Sequence, residues 1–420
     1  MAKTSTGRDF RPIILGSDEN AYGTARLFRE AYPDVTPLLV CKHPLIPTRD
    51  SAILSLRAIP EFDNETVFVP ALTEILTEQK REYGKIVVVP CSDNYARLMA
   101  SHSDRFGDLV ANRFADPALL DRLDTKDRFY ALCDECGLPY PKTVIASPDE
   151  RRTAPDGMGF SFPIVVKPEN SNGYEYLHAD FTGKKKVFFF RGRAEYDAVI
   201  AAMDEAGYCG NLILQEFIPG GDDAMRVVNT YSGNDGKVRF LCLGQPVLEE
   251  YAPTTLGNYA AILSRYHEAV TDAIAGFLNR IGYVGFANFD MKFDSRTGRF
   301  LLFEINSRPG RSSFFVRAAG HNMMRYLVDD AVYGKSRDEI VVNRETALWT
   351  AVPKSVLMKY VSSPALKKEI AGLWRAGRVT RTLFCPEETS LKRKLRILRY
   401  YYSACKTYKT YYFDKEALTR

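Results

Sequence analysis

The chain contains no run of eighteen consecutive apolar residues, so no segment reads as a membrane-spanning helix. Its start, "MAKTSTGRDFRP", has no apolar core of the kind a secretory signal carries, and the expectation is a cytoplasmic protein. No G-x-G-x-x-G follows the first strand and no G-x-x-x-x-G-K-[ST] occurs anywhere. The dinucleotide fingerprint and the P-loop are thereby excluded, and any nucleotide must be held differently. Solenoid-period repeats and low-complexity tracts are also missing. The excess of one charge is small: 57 Lys and Arg against 52 Asp and Glu leave +5, too little to argue for nucleic acid. The eight cysteines (Cys41, Cys91, Cys133, Cys136, Cys209, Cys242, Cys385, Cys405) are scattered, and a chain of this size needs no disulfides to fold, so they read as reduced thiols. One C-x-x-C, Cys133 and Cys136, falls at an apparent helix end with no second pair at zinc-ribbon spacing. Two helix-face thiols are preferred over a metal or redox pair.

What remains is a chain of 420 residues, 45% apolar, long enough for a large core and two or three domains. "RPIILGSDENAYGTARLFREAY" runs from an apolar strand through a Gly-Ser-Asp loop into a helix with Ala21, Ala25 and Phe28 on one face,. "KIVVVPCSDNYARLMA" repeats the unit, with Ser92 and Asp93 after the strand where the first unit has Ser17 and Asp18. Two strands that both end in Ser-Asp predict a doubly wound parallel sheet over the first 120 residues, with ligands at the strand carboxyl ends. Each Asp also suits a helix N-cap. From about residue 121 the texture becomes α+β. A helix over "LLDRLDTKDRFYALCDECG" is followed by the strands "FPIVVKP" and "KKKVFFF", a helix over about 193–206, and "NLILQEFIPGG",. The strand "VRFLCLG", a helix over about 266–281 and a strand-turn-strand segment come next, and beyond roughly 335 a helical tail with a basic end is expected.

The segment "FANFDMKFDSRTGRFLLFEINSRPGR" poses a physical problem. With a turn near Arg296 and Thr297, Asp290 lies opposite Glu304 and Asn288 opposite Asn306, all on one face,. Like charges facing each other on a sheet are unfavourable, and more so where water is excluded. The strand "RFLLFEIN" is apolar on both faces, which predicts burial. A cation should therefore lie between the acids. Two carboxylates and an amide oxygen are hard ligands that suit magnesium when substrate phosphates complete its shell. The alternative is a surface hairpin with solvated acids. Arg308 and Arg311 follow directly, and magnesium, phosphates and guanidinium groups are what phosphoryl transfer needs. Lys167, in the apolar "PIVVKP", is expected to meet an anion. Lys126 stands near a helix start, where a surface role is also possible. The strand "LILQEFIPGGDD" offers backbone edges to an adenine and Asp223 to a ribose.

Taken in order, Lys126, "FPIVVKP", "LQEFIPGGDD", "FANFDMKFD" and "FEINSRPGR" resemble the ATP-grasp superfamily of carboxylate-amine ligases. The sequence is similar above all to the D-aspartate ligases that build peptidoglycan cross-bridges in some Gram-positive bacteria. That likeness rests on "ILGSDENAYGTAR", "PTR" at 47–49, "GLPYPKT", "FIPGGDDAMRV", "CLGQPVLEE", "GNYA", "GFANFDMKFD" and "FEINSRPGRSSFFV". The resemblance implies a mixed α/β and α+β fold: a Rossmann-like domain over 1–120, an ATP-grasp domain over 121–335 and a C-terminal helical segment over 336–420. A small nucleotide-clamping subdomain would occupy about 140–220. It also implies ATP and Mg²⁺ as cofactors. Lys126 and Lys167 would bind phosphates, Glu216 and Ile218 would flank adenine, Asp223 would hold ribose and Phe303 would pack under the base. Asp290, Glu304 and Asn306 would be the magnesium ligands, with Arg308 near the transferred phosphoryl. Two departures stand out: the glycine-rich phosphate loop is reduced to "NSNGYEYLH", and "FLCLG" lacks a lysine that some superfamily members carry. Arg226 and Lys184 to Lys186 are candidates to replace those contacts.

The implied reaction transfers the γ-phosphoryl of ATP to the β-carboxylate of D-aspartate. The ε-amine of the stem-peptide lysine in a UDP-MurNAc-pentapeptide-type precursor then attacks the acyl phosphate. Activation is needed because a carboxylate is a poor electrophile, and a closed site protects the intermediate from water. Arg311 and Arg49 are candidates for the amino acid's α-carboxylate, with Ser312 and Asn258 nearby by motif. Asp18, Asp93 and the intermediate's own oxygens are candidates to take the amine proton, and Ser17 completes the first loop. Another amino acid or amine acceptor, or a non-catalytic nucleotide-binding or membrane-surface protein, are the alternatives. The tail "SLKRKLRILRYYYSACKTYKTYYF" holds seven basic residues and no acid among tyrosines. It reads either as a packed helix with a solvated basic face or as a contact with the anionic inner membrane surface. No nucleic-acid module is recognisable, and no nucleic-acid partner is expected.

Overall fold

The computed structural model describes residues 9–169, 174–185, 187–253, 255–335 and 339–413. These divide into two compact units. One comprises 9–132, Met225–Met291 and Glu304–Phe413; the other comprises Cys133–Ala224 and Lys292–Phe303.

In the first unit, β1 (Phe10–Leu15), β2 (Leu38–Cys41), β3 (Ser55–Ala58) and β4 (Lys85–Pro90) form a parallel sheet in the order β3-β2-β1-β4. Strand alternation sends Ile13, Leu15, Ile86 and Val88 to one face, where they pack with Phe68, Leu72, Ile75 and Leu76 of the helix Glu65–Lys80. Ile14, Val87 and Val89 face the other way, against Ala21, Tyr22, Ala25 and Phe28 of the helix Glu19–Ala31. Both faces are covered, which is why the strands read as continuous apolar runs. Gly16 continues β1 with φ +134, a conformation in which a side chain is strained. It lets the chain turn at once into the loop bearing Ser17 and Asp18.

The second unit carries an antiparallel sheet. Its strands β5 (Thr143–Ala146), β6 (Ile164–Pro168), β7 (Phe188–Phe190) and β8 (Leu212–Glu216) run in the order β5-β8-β6-β7. Ile164, Val166, Phe188, Phe190, Leu212 and Leu214 pack on Tyr196, Ile200 and Met203 of the helix Arg193–Glu205.

The remaining strands form an eight-stranded sheet. They are β9 (Met225–Ser232), β10 (Val238–Glu249), β11 (Tyr259–Arg265), β12 (Gly285–Asp294), β13 (Arg299–Asn306), β14 (Val341–Val342), β15 (Leu348–Thr350) and β16 (Val379–Thr380). The order is β13-β12-β9-β10-β11-β15-β16, with β14 beside β10. The tail after residue 335 is thus not purely helical, since three short strands from it extend this sheet. The helices Lys354–Tyr360, Pro364–Arg375 and Leu391–Tyr411 complete the segment.

Three further expectations change. The single helix expected over 119–137 is two, Pro117–Asp124 and Lys126–Cys136. Thr125 is extended between them (φ −88, ψ 119), and its carbonyl accepts from Phe129 N. Second, β13 lies at an edge of its sheet rather than in the interior. Third, the cap of the helix Asp93–Ser101 is Ser92, whose Oγ accepts from Tyr95 N, not Asp93. All eight cysteines are free thiols, Cys133 buried and Cys136 partly so. Among the described residues, no helix is long and apolar enough to cross a membrane.

Candidate active site

Asp290 on β12 and Glu304 on β13 carry the unusual chemistry of the first unit. Asn306 Nδ2 donates to Asp290 Oδ2 at 3.2 Å and lies 3.4 Å from Asn288 Oδ1, so the two amides and the acid share one face of the ribbon. Tyr259 OH, at the start of β11, donates to Asp290 Oδ1 at 2.7 Å. Burial, and then the charge of Glu304, push the pKa of Asp290 up to about 7 despite these hydrogen bonds. A carboxylate is being forced towards its neutral form by loss of water and, second, by an acidic neighbour,. Glu304 is less enclosed: its side chain is 47% exposed, and Lys126 Nζ stands 3.3 Å from its Oε2. Edge placement of β13 explains this opening, which the apolar sequence around Glu304 had concealed.

Arginines close the next layer. Arg308 Nε lies 2.7 Å from Asp93 Oδ1 and its Nη2 lies 3.0 Å from Oδ2, the paired geometry a guanidinium offers a carboxylate. Another contact, at 3.4 Å, reaches Asn306 Oδ1. Gly310 sits so close to Asn288 that a Cβ there would lie 2.7 Å from its Nδ2, which accounts for the glycine of "RPGR". Arg311 Nη2 pairs with Glu250 Oε1 at 3.0 Å, while its buried Nη1 has no hydrogen-bond partner among the described residues. Burial opposes the charge of Arg311, but Glu250 outweighs it and holds the pKa above the ordinary arginine value. Asp18 caps the helix Glu19–Ala31 through Ala21 N (3.0 Å). Burial raises its pKa, with Arg311 and Arg308 acting in the opposite direction.

The other anticipated residues are placed as follows. Ser17 is buried and donates from Oγ to His43 O at 2.8 Å. Arg49 is exposed and donates to Pro44 O at 3.1 Å. Asn258 closes the base of the 250–258 loop, its carbonyl accepting from Glu250 N at 2.7 Å. Ser312 is buried, its carbonyl accepting from Phe315 N. Arg226 Nη1 donates to Met225 O at 2.6 Å.

In the second unit, Lys167 pairs in register with Ile213, and Glu216 with Ile164. Strand alternation therefore sends the two side chains to opposite faces of their sheet. Lys167 leaves from the face away from the helix core and is only partly buried. The Glu216 carboxylate is held by Arg296 (2.5 Å) and lines a cavity of about 500 Å³ with Phe160, Phe217 and Lys142. Ile218 is buried, whereas Asp223, in the short helix Asp222–Ala224, and Phe303 are partly buried. Lys184 Nζ is committed to the carbonyls of Leu177 and Ala179, so it ties down its own loop. Residues 170–173 and Lys186 lie outside the described residues.

Sequence reasoning missed three polar groups of the first unit. Tyr259 bonds Asp290 across 31 residues, and Glu250 pairs with Arg311 across 61. Glu19 is 4% exposed, and burial raises its pKa to about 7 in spite of Arg311. The motifs "GNYA" and "VLEE" contain two of them, but nothing in the order of residues indicates which partner each finds.

Among the described residues, no group of three or more His, Cys, Asp or Glu side chains is arranged to hold a metal. The set here is smaller: two carboxylates and an amide oxygen. It suits a hard divalent ion whose remaining ligands are water and phosphate, and the mutual repulsion of Asp290 and Glu304 is the feature such an ion would relieve.

No protein-family model matches the chain. The D-aspartate ligase of Enterococcus faecium (strain Aus0004) is 37% identical over 423 residues, spanning 99% of this chain and 100% of that protein. The crystal structure of an L-amino acid ligase from Bacillus licheniformis superimposes with a TM-score of 0.54 at 16% identity, over 81% of this chain and 79% of that one. An N5-carboxyaminoimidazole synthetase from Staphylococcus aureus complexed with ADP does so at 0.56 and 11%, over 83% and 84%. With the carboxylate ribbon, the arginines that follow it and a likeness running from end to end, the chain belongs to the D-aspartate ligase family of ATP-grasp carboxylate-amine ligases and is an ATP-dependent ligase.

Proposed function

We propose that the enzyme activates the β-carboxylate of D-aspartate as an acyl phosphate and joins it to the lysine ε-amine of a peptidoglycan precursor stem peptide. The observation that carries this reading is the opposed pair Asp290 and Glu304, ringed by Tyr259, Asn306, Lys126 and Arg308. The likeness to the D-aspartate ligase of Enterococcus faecium supports the choice of amino acid.

Asp290, Glu304 and the side-chain oxygen of Asn306 would hold Mg²⁺, which when bound supplies positive charge to the triphosphate. Lys126 and Lys167 are assigned to phosphates, Asp223 to ribose and Phe303 to the underside of the base. The Glu216 carboxylate is occupied by Arg296, so adenine recognition is assigned to the backbone leading from Glu216 to Ile218. Arg308 is held by Asp93 and Asn306, an orientation that costs no rearrangement when charge develops on a transferred phosphoryl group. Arg311, with Nη1 to spare, is assigned to the α-carboxylate of the amino acid, with Ser312 and Asn258 beside it. Asp93 is committed to Arg308. Asp18, with its raised pKa, is therefore the better proton acceptor for the attacking amine. Ser17 and Arg49 complete the assigned substrate contacts.

ADP release should be measured over a panel of D- and L-amino acids, with and without a lysine-containing muropeptide precursor. The proposal expects stimulation by D-aspartate and an amide product when the precursor is present. Equal or greater stimulation by another amino acid would overturn the assigned donor, and ADP release without an amide would overturn the acceptor.

A further inference from the structure

The function above makes no use of the helix Leu391–Tyr411, which spans roughly 30 Å. Its inner face is firmly built in. Arg393 is 1% exposed, pairs with Glu388 at 3.1 Å, and donates to the carbonyls of Pro47 (2.7 Å) and Arg49 (2.8 Å). Arg396 reaches Asp50 at 2.8 Å, and Ile397, Tyr401 and Tyr408 are buried. Two of the seven basic residues of the tail are thus structural.

The outer face is different. Leu391, Leu395, Leu398 and Tyr402 are 71%, 59%, 40% and 58% exposed, and spacings of four, three and four residues place them in one stripe along the helix. At 100° per residue, Lys392, Arg399 and Lys406 lie along one flank of the stripe, Lys394 along the other and Lys409 at its far end; all five are exposed. No acidic residue occurs between Glu388 and Asp414. On the Lys394 side the stripe borders a groove of about 350 Å³ whose lining, including Leu383, Phe384, Pro386 and Ile397, is mainly apolar.

An exposed leucine stripe with basic flanks has two requirements, an apolar phase for the leucines and anions at the level of the lysines. A second copy of this helix would supply the first but set five cations against five, with no acid to pair them. Nucleic acid would meet the charges and leave the leucines in water. An anionic membrane surface supplies both in the required order, acyl chains beneath and phosphates at the level of the flanking side chains.

We propose that this helix face is a docking surface for an anionic lipid leaflet, with Leu391, Leu395, Leu398 and Tyr402 entering the boundary between headgroups and acyl chains. Lys392, Lys394, Arg399, Lys406 and Lys409 contact the phosphates, and the neighbouring groove accepts part of an acyl chain. The proposal is independent of which amino acid the enzyme ligates.

The test is flotation of the full-length protein with vesicles of phosphatidylcholine alone or with about 30% phosphatidylglycerol, at an ionic strength of about 0.1 M. The wild type should float with the anionic vesicles and not with the neutral ones. Leu395→Ser combined with Leu398→Ser should lower binding at least about tenfold. Lys392→Ala with Arg399→Ala and Lys406→Ala should lower it by about a hundredfold, near fivefold per charge. All of these side chains are exposed, so unchanged thermal melting identifies variants that keep the fold. Equal binding to neutral vesicles, or full binding by the leucine double variant, would overturn the proposal. So would a dimer detected by sedimentation that the leucine substitutions abolish while vesicles are ignored.

Discussion

Asp290→Asn should stabilise the metal-free protein while removing its activity. The fold holds the Asp290 carboxyl at a pKa of about 7 through burial and the Glu304 charge, against about 3.9 in an unfolded chain. Because the folded-state value is the higher one, the native state binds more protons between these limits, and its stability falls as pH rises from about 4 to 7. Fully expressed, the penalty at pH 8 is about 4 kcal/mol. About half is a reasonable expectation, given the half-exposed Glu304 and the freedom of nearby side chains to relax. Asparagine carries no charge to be penalised, so its advantage should widen by about 1–2 kcal/mol between pH 5 and pH 8. That is a few degrees of melting temperature. Thermal melts at both pH values, with and without Mg²⁺ and ATP, provide the assay. Ligand should stabilise the wild type most at high pH, where it no longer has to displace a proton, and should scarcely stabilise the variant. A variant less stable than the wild type at pH 8 without ligand would refute the reasoning, because burial and the Glu304 charge would then not be what destabilises the ionised Asp290.

Further outcomes follow from the same geometry. Glu304→Gln should reduce ADP formation at least about a hundredfold, measured by coupled assay at saturating ATP, while its melting temperature at pH 8 without ligand is no lower than the wild type's. Arg308→Lys keeps the charge but loses the two-pronged hold on Asp93; kcat should fall about 10²–10³-fold with little change in KM for ATP. Tyr259→Phe removes a donor to Asp290, so the acidic limb of the rate profile should move to higher pH, a shift visible in kcat/KM. Arg393→Ala leaves Glu388 buried without its cation and should cost about 3–5 kcal/mol in denaturant unfolding.

The parts of this fold visible in the sequence are those set by local periodicity. The parallel strands β1 and β4, the helix after each and the hairpin all follow from alternation, caps and turns. Asp290, Glu304 and Asn306 could be grouped because one ribbon fixes their spacing. Long-range pairings were not legible: Tyr259 with Asp290, Glu250 with Arg311, and Arg393 with the carbonyls of Pro47 and Arg49 depend on how separate elements meet. Exposure was misjudged for a related reason. "RFLLFEIN" reads as buried, yet β13 is an edge strand, and strand order is not written in any one strand. The tail illustrates the same limit. Its seven basic residues look equivalent in sequence, and only packing separates Arg393 and Arg396, which hold the helix down, from the five that face outward.

The account depends on a divalent ion with nucleotide between Asp290 and Glu304. Its most direct test is electron paramagnetic resonance of Mn²⁺ titrated into the protein with ATP at about pH 8, where Asp290 is ionised. Nucleotide-dependent Mn²⁺ binding by the wild type, lost in both Asp290→Asn and Glu304→Gln, is the predicted result. Undiminished Mn²⁺ binding in the two variants would contradict it.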